Sequence, residues 1–221
     1  MSARAAVLDV DGTLVDTNHL HTVCWWEALR QAGHRVPMVS VLGAIGLGSS
    51  DLLEHLLGKE RDREQDASLS AAHKALYATY FERLVPVEGA ADLLRRLHGD
   101  GWKVVLATSA EGSELTALRA AVDADDAIDA TASSDDVDEG KPAAEPVLHA
   151  LELVGAESKD SVFVGDSVWD MRAARRAGVV PVGVLSGGVS RAELEKAGAE
   201  VVYADTAELL RELEHSPFGR S

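Results

Sequence analysis

The chain has 221 residues, of which 46% are hydrophobic, and a formal net charge of −16. That length can bury a substantial core as one domain, or as one domain with a small insert, and the acidity argues against nucleic acid and against anionic membrane surfaces as partners. No stretch reaches membrane-spanning length and no apolar run follows a basic N-terminal region, so neither an anchor nor a signal peptide is expected.

The first element is a short apolar run, Ala5 to Leu8, with no polar face, which suits a strand buried on both sides of a parallel sheet. Asp9-Val10-Asp11-Gly12-Thr13 follows at once. Side chains alternate along a strand, so Asp9 and Asp11 are expected to point the same way just past its end, where Gly12 lets the backbone turn. Two converging carboxylates repel unless a cation lies between them or one carries a proton. The plainer reading is an acidic turn.

Asn18 to Gln31 reads as a helix with Leu20, Val23, Cys24, Trp26 and Leu29 at helical spacing, ended by Gly33. Cys24 is the only cysteine. It excludes an internal disulfide, suits a reducing cytoplasm and reads as a buried structural thiol beside Trp25 and Trp26. Residues 36–48 read as a loop. Ser49, Ser50 and Asp51 then offer caps to a short helix carrying Leu52, Leu53, Leu56 and Leu57. After a polar connection, Ser70 is placed to cap a helix lined by Leu76, Tyr77, Tyr80, Phe81 and Leu84. Residues 17–86 thus read as an all-helical block.

Pro86 breaks that pattern, and helix and strand alternate from there. Strands are expected at 102–107, 128–132, 162–165, 180–185 and 201–203, with helices at 90–97, 113–121, 143–154, 168–177, 191–196 and 207–213. Pro142 would serve as a first-turn residue of the helix at 143–154. Such alternation predicts an α/β fold, a doubly wound parallel sheet to which the opening strand belongs. The core is then residues 1–16 and 87–221, and the helical block is an insert whose two joins, near Thr17 and Val85-Pro86, lie close together as a hinge. The acid-rich run 123–139 lacks a basic counterpart within itself and reads as exposed loop. Residues 216–221 read as a loose tail.

Ligands of such a sheet bind beyond the carboxyl ends of its strands. Those ends carry Asp9 and Asp11, then Thr108-Ser109, then Gly165-Asp166 with Asp170 one helical turn on. Lys141 precedes the helix before the Asp166 strand. Taken singly, Thr108 reads as a helix cap, Lys141 as a surface loop and Asp170 as a first-turn acid favoured by the helix dipole. Together they point to one crevice.

In order and spacing, Asp9-Val-Asp11-Gly12-Thr13, Leu-Ala-Thr108-Ser109, Gly140-Lys141-Pro142 and Gly165-Asp166-Ser167-Val168-Trp169-Asp170 resemble the haloacid dehalogenase superfamily, in the branch with a helical cap after the first strand. The resemblance spans essentially the whole chain. It implies a Rossmann-like core and a small phosphorylated metabolite as substrate, hydrolysed with Mg2+ through an aspartyl-phosphate on Asp9. It assigns Asp11 as general acid and base, and Thr108, the Ser109 amide, Gly12 and Thr13 to the phosphate. Lys141 would neutralise charge. The metal ligands it implies are the Asp9 side chain, the Asp11 main-chain carbonyl and Asp166, with Asp170 acting through water or orienting Lys141. His21, with His19 as the alternative, and the loop residues Gly48 and Ser49 are expected to touch substrate. A buried, hydrogen-bonded histidine and a flexible turn are the plain alternatives.

The named dehalogenases lack the second aspartate, present here as Asp11. Hexose-phosphate mutases share the histidine at the place of His21, but carry a cap arginine and a Glu-Asp metal motif. Here those places read Gly46-Leu47-Gly48-Ser49-Ser50 and Gly165-Asp166. The expectation is therefore a phosphatase of the phosphoglycolate or sugar-phosphate type, monomer or homodimer, with the mutase as alternative. Signalling receiver domains lack a cap and place their acidic pair before the phosphorylated aspartate.

Overall fold

The protein is described from a computed structural model, which covers residues 3–133 and 139–219. Six parallel strands form the sheet: β1 (Ala5–Leu8), β2 (Lys103–Ala107), β3 (Ala130–Ala132), β4 (Val162–Gly165), β5 (Val180–Val184) and β6 (Val201–Tyr203), in the order β3-β2-β1-β4-β5-β6. The order reverses between β1 and β4, which opens a crevice at their carboxyl ends.

Burial on both faces follows from the strand period of two. Ala6 and Leu8 join Val104, Leu106, Val162 and Val164 on one face. There they pack under helices α5 (Ala90–Gly99) and α6 (Gly112–Val122), with α10 (Thr206–Arg211) beside α5. Ala5 and Val7 join Val105, Ala107 and Phe163 on the other, under α7 (Glu145–Val154) and α8 (Val168–Arg176). Helix α9 (Arg191–Ala197) covers the β5–β6 end through Leu194, which packs with Met171 and Val202. An all-apolar β1 is what such a central position requires.

Four helices stand between β1 and α5: α1 (Asn18–Gln31), α2 (Met38–Ala44), α3 (Ser49–Leu57) and α4 (Asp66–Ala78). They close their own core around Trp25, Leu29, Val41, Leu52, Leu53 and Leu69. The chain leaves and re-enters the sheet domain side by side: the Asp16 amide donates to Val85 O (3.0 Å) and the Val87 amide to Leu14 O (2.9 Å). Trp169, the second residue of α8, packs against the cap core, and its indole N–H donates to Gly43 O at 3.3 Å.

Several expectations need correction. Residues 38–44 are helical, because burying Val41 and Ala44 outweighs the presence of Gly43. The buried face of α1 is Asn18, His21, Cys24, Trp25, Ala28 and Leu29, whereas Val23 is 41% exposed. This face is partly polar because it covers the crevice. Gly48, not a serine, is the N-cap of α3. Helix α4 starts four residues before Ser70 and ends before Tyr80. Helix α7 starts at Glu145, so its first-turn proline is Pro146 rather than Pro142.

Within the acidic run, Asp125, Asp126 and Asp129 pair with Arg119, Arg95 and Lys103 from elsewhere in the fold, at 2.9, 2.9 and 2.8 Å. Residues 130–132 are strand, and 134–138 lie outside the described residues. The tail expected to be loose is packed as far as Gly219. Ser216 and Phe218 are buried, and the Phe218 ring meets Trp102 edge-on at 5.0 Å. Its last two residues also lie outside the described range.

Candidate active site

Asp9 follows β1 and Asp166 follows β4, so the sheet order brings them together across the crevice. Asp9, Asp166 and Asp170 are all buried, with carboxylate oxygens within 4.8 Å of one another. Lys141 enters this group from the loop before α7. Its Nζ contacts Asp9 Oδ1 and lies 2.8 Å from Asp170 Oδ1. Asp170 is also the partner in a capping box: its Oδ2 accepts from the Ser167 amide (3.0 Å) and hydroxyl (2.6 Å). It is thus both a first-turn acid of α8 and the residue that orients Lys141.

Asp166 is fixed from two sides, Oδ1 accepting from Thr13 Oγ1 (2.9 Å) and Oδ2 from Asn18 Nδ2 (2.7 Å). Asn18 Nδ2 also donates to Gly187 O, while its Oδ1 is buried with no hydrogen-bond partner among the described residues. Gly12 has φ +76°, and a Cβ there would meet Asn18 and Asp166 at 2.5 Å. A side chain is therefore excluded at Gly12 by both conformation and space.

Electrostatics follow from burial. Desolvation lifts Asp9 well above the usual carboxylate range against the opposing pull of Lys141. Asp166 is pushed up to about 7 by burial and then by Asp170. Burial works against the Lys141 charge, but Asp170 and Asp9 outweigh it and hold the ammonium. Three buried carboxylates around one ammonium leave an excess of hard oxygen donors. This composition fits a small divalent cation such as Mg2+.

Asp11 belongs to a different group. Its Oδ1 accepts from Thr17 Oγ1 (2.7 Å) and lies 3.0 Å from His21 Nε2. His21 Nδ1 is 3.0 Å from His73 Nε2, the His73 ring stacks on Trp25 (centroids 4.3 Å, 11°), and Glu114 Oε1 stands 3.9 Å from His21 Nε2. Burial opposes ionisation of Asp11, but His21 and the hydrogen bonds of His21 and Thr17 hold it below its ordinary value. Burial likewise opposes a charge on His21, and Asp11 outweighs it. His73 is pushed down to about 3, by burial and then by His21. Glu114 is pushed up to about 7 by burial.

Both groups open onto one cavity of ≈ 580 Å3 between sheet and cap. Asp9, Asp11, His21, Gly48, Ser49, Thr108, Ser109 and Lys141 line it. Gly12, Thr13, Asp166 and Asp170 are not among its lining residues: Thr13 donates to Asp166, Asp170 holds Lys141, and Gly12 leaves room for Asp166. His19 is exposed and is not a lining residue. Thr108 is not a cap for α6, whose N-cap is Glu111; its Oγ1 accepts from the Ala110 amide at 3.0 Å. Cys24 is buried away from the cavity, and burial pushes its thiol up to about 11, so it is inert. Asn18, His73, Glu114 and Gly187 are site residues that sequence reasoning passed over. A polar side chain at the first position of an otherwise buried helix face was the one available signal, for Asn18.

Comparisons with known proteins agree with this geometry. The sequence profile of the haloacid dehalogenase-like hydrolases matches residues 3–178. A phosphoglycolate phosphatase of Nitrosospira multiformis is 32% identical over 195 residues, covering 83% of this chain and 86% of the relative. One from Caulobacter vibrioides is 30% identical over 211 residues, covering 91% and 87%. Among solved structures, a hydrolase from Pseudomonas syringae superposes with a TM-score of 0.91 at 33% identity, over 96% of this chain and 98% of that one. A beta-phosphoglucomutase from Clostridium difficile shares the fold at 17% identity, with a TM-score of 0.84 over 98% and 97%.

Proposed function

Because the chain belongs to the haloacid dehalogenase-like hydrolases, we propose that the crevice hydrolyses a small phosphate monoester, with Asp9 as nucleophile and Asp11 as general acid and base. The observation that carries this reading is the separation of the two aspartates. Asp9 sits with Lys141, Asp166 and Asp170, Asp11 sits with His21, and both face one cavity.

An Asp9 carboxylate oxygen attacks phosphorus and the bond to the ester oxygen breaks, leaving an aspartyl-phosphate. Asp11 passes to the departing oxygen a proton drawn from His21, whose Nε2 lies 3.0 Å from its Oδ1 and whose charge Asp11 favours. Water then attacks phosphorus, Asp11 takes the proton from it, and phosphate leaves with Asp9 restored. Lys141 neutralises charge on Asp9 and the phosphoryl group, held in place by Asp170. Thr108 and the Ser109 amide receive the phosphate oxygens, and Gly12 and Thr13 support the site from behind.

Asp9 and Asp166, with the Asp11 main-chain carbonyl, would hold Mg2+, and Asp170 would reach it through water. Bound there, the ion would offset negative charge shared by carboxylate and phosphate. The cap, residues 17–86, selects the substrate through Gly48, Ser49 and His21. We further infer a cytoplasmic enzyme, monomeric or homodimeric, acting on a phosphorylated metabolite. The mutase alternative would need a cap cation for a second phosphate. Arg61, which lies next to the cap loop, is instead engaged by Asp66 (2.9 Å) and Glu54 (3.4 Å).

The test is phosphate release from a panel of monoesters, with and without magnesium, with glucose 1-phosphate also assayed for isomerisation. Magnesium-dependent release that disappears in a folded Asp9→Asn protein is the expected result. Surviving turnover in that variant overturns the nucleophile, and isomerisation without net release replaces the phosphatase by a mutase.

A further inference from the structure

Resting on the phosphatase reading, we propose that the group esterified to phosphate is uncharged and rich in hydroxyls, a polyol or sugar, and that Asp51 and Glu114 bar esters ending in a second anion. Size is the first argument. At ≈ 580 Å3 the cavity falls inside the range of about 300–1,000 Å3 that holds ligands of many heavy atoms. A two-carbon acid phosphate would leave most of it to water.

Charge is the second and independent argument. Away from Lys141, the polar wall of the cavity includes Ser49, Ser50, Asp51, Lys74 and Glu114. A carboxylate-ended ester needs a cation there, and the described cations are engaged. Lys74 is ion-paired with Glu111 across the cap–core seam. Arg176, at the rim, donates to Pro142 O at 2.6 Å. Arg61 lies behind the loop, where it binds Asp66 and Glu54 and donates to Ser50 O at 3.2 Å. His21 is matched with Asp11.

Asp51 forms no ion pair among the described residues; burial and then Glu54 on the same helix work against its charge, and Arg61, already bound to Asp66 and Glu54, attracts it from a distance. Asp51 Oδ2 comes within 3.6 Å of the Cβ position of Gly140, so it lines the cavity where the cap meets the loop that carries Lys141. Two carboxyl groups and two serine hydroxyls are acceptors for substrate hydroxyls, and a second anion placed among them meets the Asp51 charge with every neighbouring described cation already committed to another partner. The relatives named phosphoglycolate phosphatases carry such an anion on their substrate, so this chain is set apart from them.

The experiment compares kcat/KM near neutral pH with magnesium for glycerol phosphate, erythritol phosphate and hexose 6-phosphates against phosphoglycolate and phosphoglycerate. The expected preference for the best hydroxylated ester over phosphoglycolate is at least about tenfold. In Asp51→Lys the ratio should move toward phosphoglycolate by about tenfold or more, and in Asp51→Asn by less in the same direction. Equal or better use of phosphoglycolate by the wild-type protein overturns the inference, as does an unmoved ratio in Asp51→Lys. If no monoester, p-nitrophenyl phosphate included, releases phosphate, the phosphatase reading itself falls. Calorimetric binding to the Asp9→Asn protein then decides separately. Tighter binding of the polyol phosphates than of phosphoglycolate upholds the substrate class, and the reverse order or no binding of either overturns it.

Discussion

One methyl group at Gly187 tests whether the position of Asp166 matters to the chemistry. A Cβ there would lie 1.7 Å from Asp166 Oδ2 and 2.7 Å from Asn18 Nδ2, whereas real Cβ atoms keep at least 3.0 Å from such neighbours. Either the carboxylate or the Gly187 segment must therefore yield by 3.0 − 1.7 = 1.3 Å. Neither is free to do so without loss. Asp166 is buried and accepts from Thr13 and Asn18, and the loop is tied down by Ser186 Oγ donating to Gly12 O at 2.6 Å. Gly187 does not have positive φ, so alanine suits its backbone and the clash is the whole perturbation. Misplacing a catalytic group by about 1 Å costs about 10²-fold. Gly187→Ala should accordingly lower kcat/KM about 10²-fold and raise the magnesium concentration for half-maximal activity. The control is Gly188→Ala. Gly188 has φ +88°, and the nearest atom to its Cβ position is in His19 at 3.9 Å. That variant strains the backbone without touching Asp166 and should lose stability while keeping the magnesium response. Steady-state kinetics over a magnesium titration, with circular dichroism to confirm folding, read out both. A Gly187→Ala protein with wild-type activity and magnesium response would refute the assignment of Asp166.

Other expected outcomes follow from the same geometry. Asp11→Asn should lose most activity yet keep magnesium binding by calorimetry, since its carboxylate faces His21 and Thr17 rather than the Asp9 group; loss of magnesium binding contradicts that division. His73 is held neutral by burial, its value pushed down to about 3 from an unfolded value near 6.5. Between those values the unfolded chain binds the extra proton, so His73 removes stability as pH falls from about 6.5 toward 3. Urea unfolding across that range should show a shallower loss for His73→Gln than for wild type, and parallel curves would contradict it. Phe218→Ala removes a buried ring from Trp102 and should cost about 3 kcal/mol. An unchanged urea midpoint would show that the C-terminal turn does not contribute to the core.

The sheet and its crevice were legible because their signals are local. An apolar run ending in Asp9, another ending before Thr108 and a third ending before Asp166 each report a buried parallel strand, and alternation with helices orders them. The cap was less legible. Met38–Ala44 contains Gly43 and follows Pro37, and only the tertiary burial of Val41 and Ala44 makes it a helix. On α1 the expected apolar stripe was displaced, because the face that turns inward carries Asn18 and His21 to the site instead of Leu20 and Val23. His73 and Glu114 were invisible for another reason. Their role depends on His21, 52 and 93 positions away in the chain, and nothing local marks a side chain whose partner is supplied by so distant an element. The C-terminal turn looked loose because its six residues have no periodicity, yet Phe218 packs edge-on against Trp102.

The charge distribution explains how so acidic a chain manages an anionic ligand. Its net charge of −16 lies largely on the surface, some of it paired, as with Asp125, Asp126 and Asp129. At the crevice the acids are divided between two buried groups, each with its own basic centre: Lys141 for Asp9 and Asp170, His21 for Asp11 and Glu114. On the proposed mechanism, the division lets neighbouring residues of one short motif act oppositely. Asp9, desolvated beside an ammonium and two further carboxylates, is placed for a cation and a phosphoryl group. Asp11, bonded to a histidine from the cap, is placed to exchange a proton. Because His21 and His73 are both cap residues, the proton-handling group is complete only with the cap docked on the sheet domain, while the Asp9 group is built almost wholly by the core, with Asn18 as the cap's one contribution. On the proposed mechanism, a cap lifted from the sheet domain would take His21 and His73 away from Asp11 and leave the surroundings of Asp9 nearly intact.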